Sequence, residues 1–143
     1  MTLTLAQADI IVDAALIAGT TRGFAPLTVA VLDTGGHLVA FKRQDGSGIL
    51  RFDIAFGKAW GAVGLGLGSR ALMERANQQP SFIDAAATAS QGRLIPVPGG
   101  VLVRDAAGTL LGAVGISGDT SDNDESCALA GIEAAGLKAQ PGA

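Results

Sequence analysis

The chain has no tyrosine, one tryptophan, one cysteine and one histidine in 143 residues. A lone cysteine excludes an intrachain disulfide and suits a reducing compartment, so a cytoplasmic location is expected. A lone histidine excludes a multi-histidine zinc site, and Cys127 lies far along the chain from His37. No apolar run approaches the ~20 residues that a spanning helix needs, so no membrane segment is expected. The opening "MTLTLAQADIIVDA" has no basic stretch, and aspartates interrupt its apolar residues; it does not read as a secretory signal. Ten Lys and Arg against thirteen Asp and Glu leave a net charge of −3, with the basic residues scattered. That is not the basic face that nucleic acid or an anionic membrane would require.

Hydrophobic residues make up 48% of the chain. Without a membrane segment, such a surplus points to apolar surface buried against further copies, so a homo-oligomer is expected. The 21 glycines show no collagen-like period and read as turns and close backbone approaches.

The elements follow from capping and periodicity. Thr4 and Gln7 form a capping box, Ala8, Ile11, Val12 and Ala15 recur at helical spacing, and Gly19 supplies a stop, giving a first helix over about 5–18. "LTVAVLD", Thr-Gly-Gly and "HLVAFKR" make a β-hairpin with both faces expected to be covered. "GVLVRD", Ala-Ala-Gly and "TLLGAVGIS" repeat that grammar, with Asp33 and Asp105 opening the turns and Leu38 and Leu110 resuming the strands. Between the hairpins lie a helix capped by Ser47, a second capped by Ser69 and stopped by Pro80, a short third over "SFIDAAATA", and a short strand "GRLIPV". Ser121 or Asp122 caps the last helix, Gly136 ends it, and the tail "KAQPGA" is expected to fray. This order predicts one domain over 1–143, an α+β layered fold on a central antiparallel sheet of about five strands flanked by helices.

Four stretches could carry chemistry. His37 follows two glycines, and reads either as a solvated turn residue or as the single axial ligand that haem iron requires. "RQDGSGILRFDIAFGKAW" sets Arg43, Asp45, Arg51, Asp53 and Lys58 among Phe41, Phe52 and Phe56, as surface charge or as the mouth of an apolar pocket that grips a carboxylate. Lys58, beside Phe56, Ala59 and Trp60, is expected to be partly buried and must then pair or lose its proton. "GAVGLGLGSRAL" places glycines before a helix start carrying Arg70: an anion clamp or a tight interhelical turn, and neither a Walker loop nor a dinucleotide fingerprint. "GISGDTSDNDESCA" carries Asp122, Asp124 and Glu125, either offsetting a helix dipole or binding a hard cation; a calcium loop starting at Asp122 is not expected, because its sixth position is Cys127 where glycine is demanded.

Taken together, "VAVLDTGGHLVAFKRQDG", "KAWGA" and "PVPGGVLVRDAAGTLLGAVGISGDTSDNDESCA" resemble the GlcG/HbpS-like family of haem-binding uptake proteins, which includes the C-terminal domain of PduO-type corrinoid adenosyltransferases. The resemblance covers about 4–137. It implies a profilin-like three-layer fold, assembly into a dimer or larger ring (up to an octamer), and haem as a possible cofactor held through a histidine. By position, His37 falls in the family's "GGHLVA" element, and Asp45, Gly46 and Lys58 in its "R-x-D-G" and "K-A" elements. Pro98-Gly99-Gly100 and Gly115-Ile116-Ser117-Gly118 match "P-G-G" and "G-[VI]-S-G".

Two functions of different class follow. In the first, the protein binds haem or a similar flat apolar anion near a subunit interface. His37 ligates iron, Arg43, Arg51 and Arg70 meet the propionates, and Phe56 packs on the ring. In the second, it is a cofactor-independent or metal-assisted lyase or isomerase on a small organic acid or aromatic catabolite. There Arg70 anchors a carboxylate, His37 or Lys58 moves a proton, and Asp45 and Asp124 position the base. An accessory scaffold is the third and plainest reading.

Overall fold

A computed structural model describes residues 2–142. Five helices and five strands follow in the order α1 (Leu5–Thr21), β1 (Thr28–Asp33), β2 (Leu38–Arg43), α2 (Arg51–Leu65), α3 (Ser69–Gln78), α4 (Pro80–Ala89), β3 (Gly100–Arg104), β4 (Leu110–Ser117), α5 (Ser121–Ala134) and β5 (Lys138–Gln140). The strands form one antiparallel sheet in the order β2-β1-β4-β3-β5, in the α+β arrangement expected. The two hairpins, β1–β2 and β3–β4, join through their inner strands β1 and β4.

Alternation along those inner strands builds the layers. Val29, Val31, Val101, Val103, Val114 and Ile116 point to one face, where α1 and α5 cover them with Ile11, Val12, Ala15, Ala128 and Ile132. Leu32, Leu102 and Ala113 point to the other, against Ala59 and Ala62 of α2. Gly115 lets α2 lie close on β4: a Cβ there would collide with the Ala55 carbonyl.

Local expectations divide by whether a hydroxyl finds a distant partner. The capping box holds: Gln7 N–H donates to Thr4 Oγ1 at 3.1 Å, and Thr4 N–H to Gln7 Oε1 at 3.0 Å. Ser47 caps nothing; it is buried against Thr28 with 2.7 Å between hydroxyl oxygens, and α2 starts after Leu50. Ser69 is the first residue of α3 and accepts from the Gly100 N–H at 2.7 Å, tying that helix to β3. Thr120, rather than Ser121 or Asp122, caps α5, accepting from the Asn123 N–H.

Three segments depart from expectation. "GRLIPV" is not a strand; two prolines remove ladder donors nearby, and Ile95 N–H instead donates to the Gly57 carbonyl of α2. The tail does not fray over its described residues, since β5 pairs with β3 and Arg70 N–H donates to the Pro141 carbonyl; Ala143 lies outside them. β2 is an edge strand, largely exposed, while β1 beside it is buried along nearly all its length.

Candidate functional site

The two hairpin turns are built alike. Asp33 Oδ1 accepts from the N–H groups of Gly35 and His37, both at 2.9 Å, while Gly36 takes φ +79°. Asp105 Oδ1 accepts from Ala107 at 3.0 Å and Thr109 at 2.9 Å, while Gly108 takes φ +88°. Each strand pair also carries a register irregularity just before its turn. His37 thus occupies the place that Thr109 fills in the second turn, and this backbone does not require an imidazole.

The imidazole has a further contact that Thr109 cannot make. His37 Nδ1 lies 3.1 and 3.2 Å from the two Asp33 carboxylate oxygens. An ionised carboxylate only accepts, so Nδ1 is the donor and the neutral ring keeps its lone pair on Nε2. The side chain is 79% exposed. The Asp33 carboxyl is held below its usual value, chiefly by the His37 backbone N–H and further by Gly35 and the imidazole.

Beside this turn stands Trp60 of α2. A depression of about 270 Å³ is lined by Thr34, Gly35, Gly36, Trp60, Val63 and Gly64. On another side of Trp60, between α2 and α4, a slot of about 250 Å³ is lined by Gly61, Leu65, Ala86, Ala89 and Leu94. The Arg93 guanidinium stacks over Trp60, 4.3 Å from the ring centroid, and its Nε donates to the Ser90 carbonyl at 2.8 Å.

The expected arginines lie toward the opposite end of the sheet. Leu38 pairs with Leu32 near the turn, whereas Arg43 pairs with Thr28, five residues and about 17 Å along the strand. Arg51 is at that far end too, its Nη1 donating to Ser117 Oγ at 3.1 Å. Arg70 is paired with Glu125 at 3.0 Å and with Asp122, so it is not a free clamp. Arg43, Arg51 and Arg70 therefore do not gather round His37 in one chain, and Phe56 belongs to a stacked row with Phe52 and Phe41. Asp45 sits on an exposed loop, lining with Arg43, Gln44 and Phe24 an open depression of about 560 Å³.

Lys58 is more deeply buried than expected. It is 2% exposed, donating to Asp124 Oδ2 at 3.1 Å and to the Ile116 carbonyl at 2.8 Å. Burial pushes the ammonium below the ordinary lysine range, and Asp124 pulls it back; burial likewise raises Asp124. The ammonium lies within the core and lines none of the depressions described above. The acidic stretch does not converge on a cation: Asp124 holds Lys58, while Asp122 and Glu125 hold Arg70. Among the described residues, no three His, Cys, Asp or Glu side chains are grouped to bind a metal.

The sequence singles out His37 but not what surrounds it. Asp33 is legible in the sequence as a turn opener, and its spacing of four from His37 also permits the ring contact. Arg93 had no sequence signal, because only the loop after α4 brings it onto Trp60.

A family model described as "Haem degrading protein HbpS-like" matches residues 3–133. The chain belongs to the HbpS-like family. A double mutant of Streptomyces reticuli HbpS is 30% identical, with a TM-score of 0.79 over 93% of this HbpS-like chain and 86% of that one. A PduOC:heme complex is 23% identical with a TM-score of 0.86 over 96% and 98%, a likeness of fold. A 15.0 kDa protein in the dhaT-dhaS intergenic region of Citrobacter freundii is 30% identical over 99 residues, 69% of this HbpS-like chain and 68% of the relative.

Proposed function

We propose that this protein binds haem on the His37 face, with Nε2 as the axial ligand, and that a second copy completes the enclosure. The carrying observation is the Asp33–His37 contact. A carboxylate on Nδ1 fixes the ring's orientation and tautomer and leaves Nε2 free to bind, the usual outer-shell support for a metal-bound histidine. The donor set fits a group that asks one axial bond of the chain. When bound, haem supplies an iron centre and a flat apolar ring; Gly35, Gly36, Val63 and Trp60 offer small and aromatic surface beside it. The PduOC:heme complex, alike in fold, supports the same reading.

An imidazole 79% exposed does not by itself exclude water, which is why a neighbouring copy belongs in the proposal. The apolar surface available for assembly lies along the free edge of the sheet: Leu38, Phe41, Ile49 and Leu50 are 47%, 38%, 90% and 62% exposed. A further apolar stripe, with Ile10 and Ile17, runs along the outer side of α1. Propionate partners from Arg43, Arg51 or Arg70 would have to come from that neighbour.

The test is haem titration followed by the visible spectrum. Wild type is expected to give a saturable Soret shift that His37→Ala abolishes or moves. Identical spectra for the two proteins, or no shift with either, would end this reading. Nothing favours the enzymatic alternative: of its two candidate bases, His37 and Lys58, the second is enclosed, and its anchor Arg70 is already paired.

A further inference from the structure

The free edge of β2 is built to receive a strand. We propose that it pairs antiparallel with β2 of a second copy, centred on Phe41, and that this pairing brings the partner's Arg43 to the His37 turn to meet a haem propionate. The pairing stands on the edge itself; the part given to Arg43 rests on the haem reading above.

Among the described residues β2 pairs only with β1, so the other side of its backbone has no ladder. Gln44 N–H donates inward to the Leu27 carbonyl at 2.9 Å. Alternation then turns the backbone groups of Lys42 and Ala40 toward β1, and those of Phe41 and Arg43 outward. The opposite edge of the sheet is blunted, since β5 has three residues and Pro141 follows it. β2 has six residues and no proline. Its surroundings are apolar: Phe41 is partly exposed and held edge-on against Phe52 at 5.1 Å, and the loop leaving the strand carries the exposed Ile49 and Leu50.

Charge selects a second copy as the occupant, and the antiparallel direction with it. Residues 33–41 contain Asp33 and no Lys or Arg, whereas Lys42 and Arg43 close the strand. Lys42 is taken by Asp13, but Arg43 makes no ion pair among the described residues. An antiparallel pair lays the cationic end of each strand against the acidic end of the other; a parallel pair would set the two Arg43 side chains together. With Phe41 opposite its own equivalent across a two-fold axis, Arg43 falls opposite the partner's Val39. That is two residues, about 7 Å, from His37, a span that an extended arginine covers. The Phe41–Phe52 contact puts Phe41 and Arg43 on the α2 side of the sheet, where Trp60 also lies, and a two-fold axis normal to the sheet keeps them there.

Phe41→Lys and Phe41→Glu each place like charges opposite one another at the centre of the pair, so each variant alone should sediment below wild type. Mixed, the two should regain the wild-type sedimentation coefficient, which also shows that both had folded. Haem titration of the mixed assembly then locates Arg43. With His37→Ala on one chain and Arg43→Met on the other, one site for every two chains should keep full affinity. With both substitutions on the same chain, the remaining site should bind about tenfold more weakly, the loss of one charge-assisted contact. The inference is overturned by a monomeric wild type, by Phe41 variants that sediment as wild type or do not recover on mixing, or by equal haem affinity in the two arrangements. The reverse pattern overturns it too, because Arg43 would then serve its own chain. If mixing restores the assembly while no protein gives a Soret shift, the haem reading fails, and Arg43's part with it, while the strand pairing stands.

Discussion

His37 and Thr109 hold equivalent places in two turns of the same design, and the comparison isolates what the imidazole adds. Both backbones are fixed by an aspartate that accepts two N–H bonds and a glycine at positive φ. Only His37 also engages that aspartate through its ring. Asp33→Ala should therefore release the ring while β1 and β2 stay paired, and haem affinity should fall by about 10–100-fold, as for other outer-shell partners of metal ligands. Haem affinity and the visible spectrum measure this; an unchanged affinity would mean that Asp33 serves the turn alone. The same carboxylate makes the turn pH-dependent. Its value in the folded state is lowered, so the ionised carboxylate stabilises the turn fully above about pH 4, the ordinary unfolded range. That contribution is lost as pH falls through the lowered folded value. Corrected for the intrinsic pH dependence of exchange, the protection of the Gly35 and His37 amides should fall only as pH drops below the ordinary aspartate range, while the β4 amides stay protected. A turn whose amides titrate in the ordinary aspartate range would contradict this.

At the scale of elements, the Lys58–Asp124 pair sews α2 to α5 past the end of β4. Both side chains are almost wholly buried, 2% and 1% exposed, and each compensates a charge that water cannot reach. Asp124 also accepts from the Asp119 N–H at 2.9 Å, so the pair fixes the loop between β4 and α5 as well. Asp124→Asn leaves an ammonium in the core with a weaker partner, and urea unfolding should show a loss of about 3–5 kcal/mol. Lys58→Met together with Asp124→Leu should recover most of that loss, because an apolar pair leaves no charge stranded. If the double variant is as unstable as Asp124→Asn, the pair has a role that this account of burial misses. Much at this level was legible in advance: Thr4, Gln7 and Gly19 bound α1, and the matching Asp and Gly positions announced both hairpins. Ser47 and Ser69 misled because a serine before a helix is a sound cap signal only when nothing distant claims its hydroxyl. Here Thr28 and Gly100 did.

Across the whole molecule, apolar groups remain uncovered where a sheet edge and two helix surfaces meet solvent. Ile49 and Leu50 are the most exposed of those beside β2, and neither is in the core. Ile49→Asp with Leu50→Asp should leave the thermal stability of the fold nearly unchanged, within about 0.5 kcal/mol per site, while lowering the sedimentation coefficient by disrupting assembly. A wild type that sediments as a monomer would remove the proposed role of the second copy, and with it the enclosure of haem. No helix among the described residues is long and apolar enough to cross a membrane, so this surface calls for another explanation.

Composition and short-range pattern alone determined the order of elements, the paired hairpins, the α+β layering and the singular position of His37. These depend on periodicity, caps and turn geometry, all of which act within a few residues. Only the tertiary structure decided that the arginines lie at the far end of the sheet from His37, that Lys58 is enclosed with Asp124, that the acidic stretch is spent on cations of the chain itself, and that Arg93 covers Trp60. Each of these turns on which residues distant in sequence share a charge or a surface, and local spacing carries no information about that.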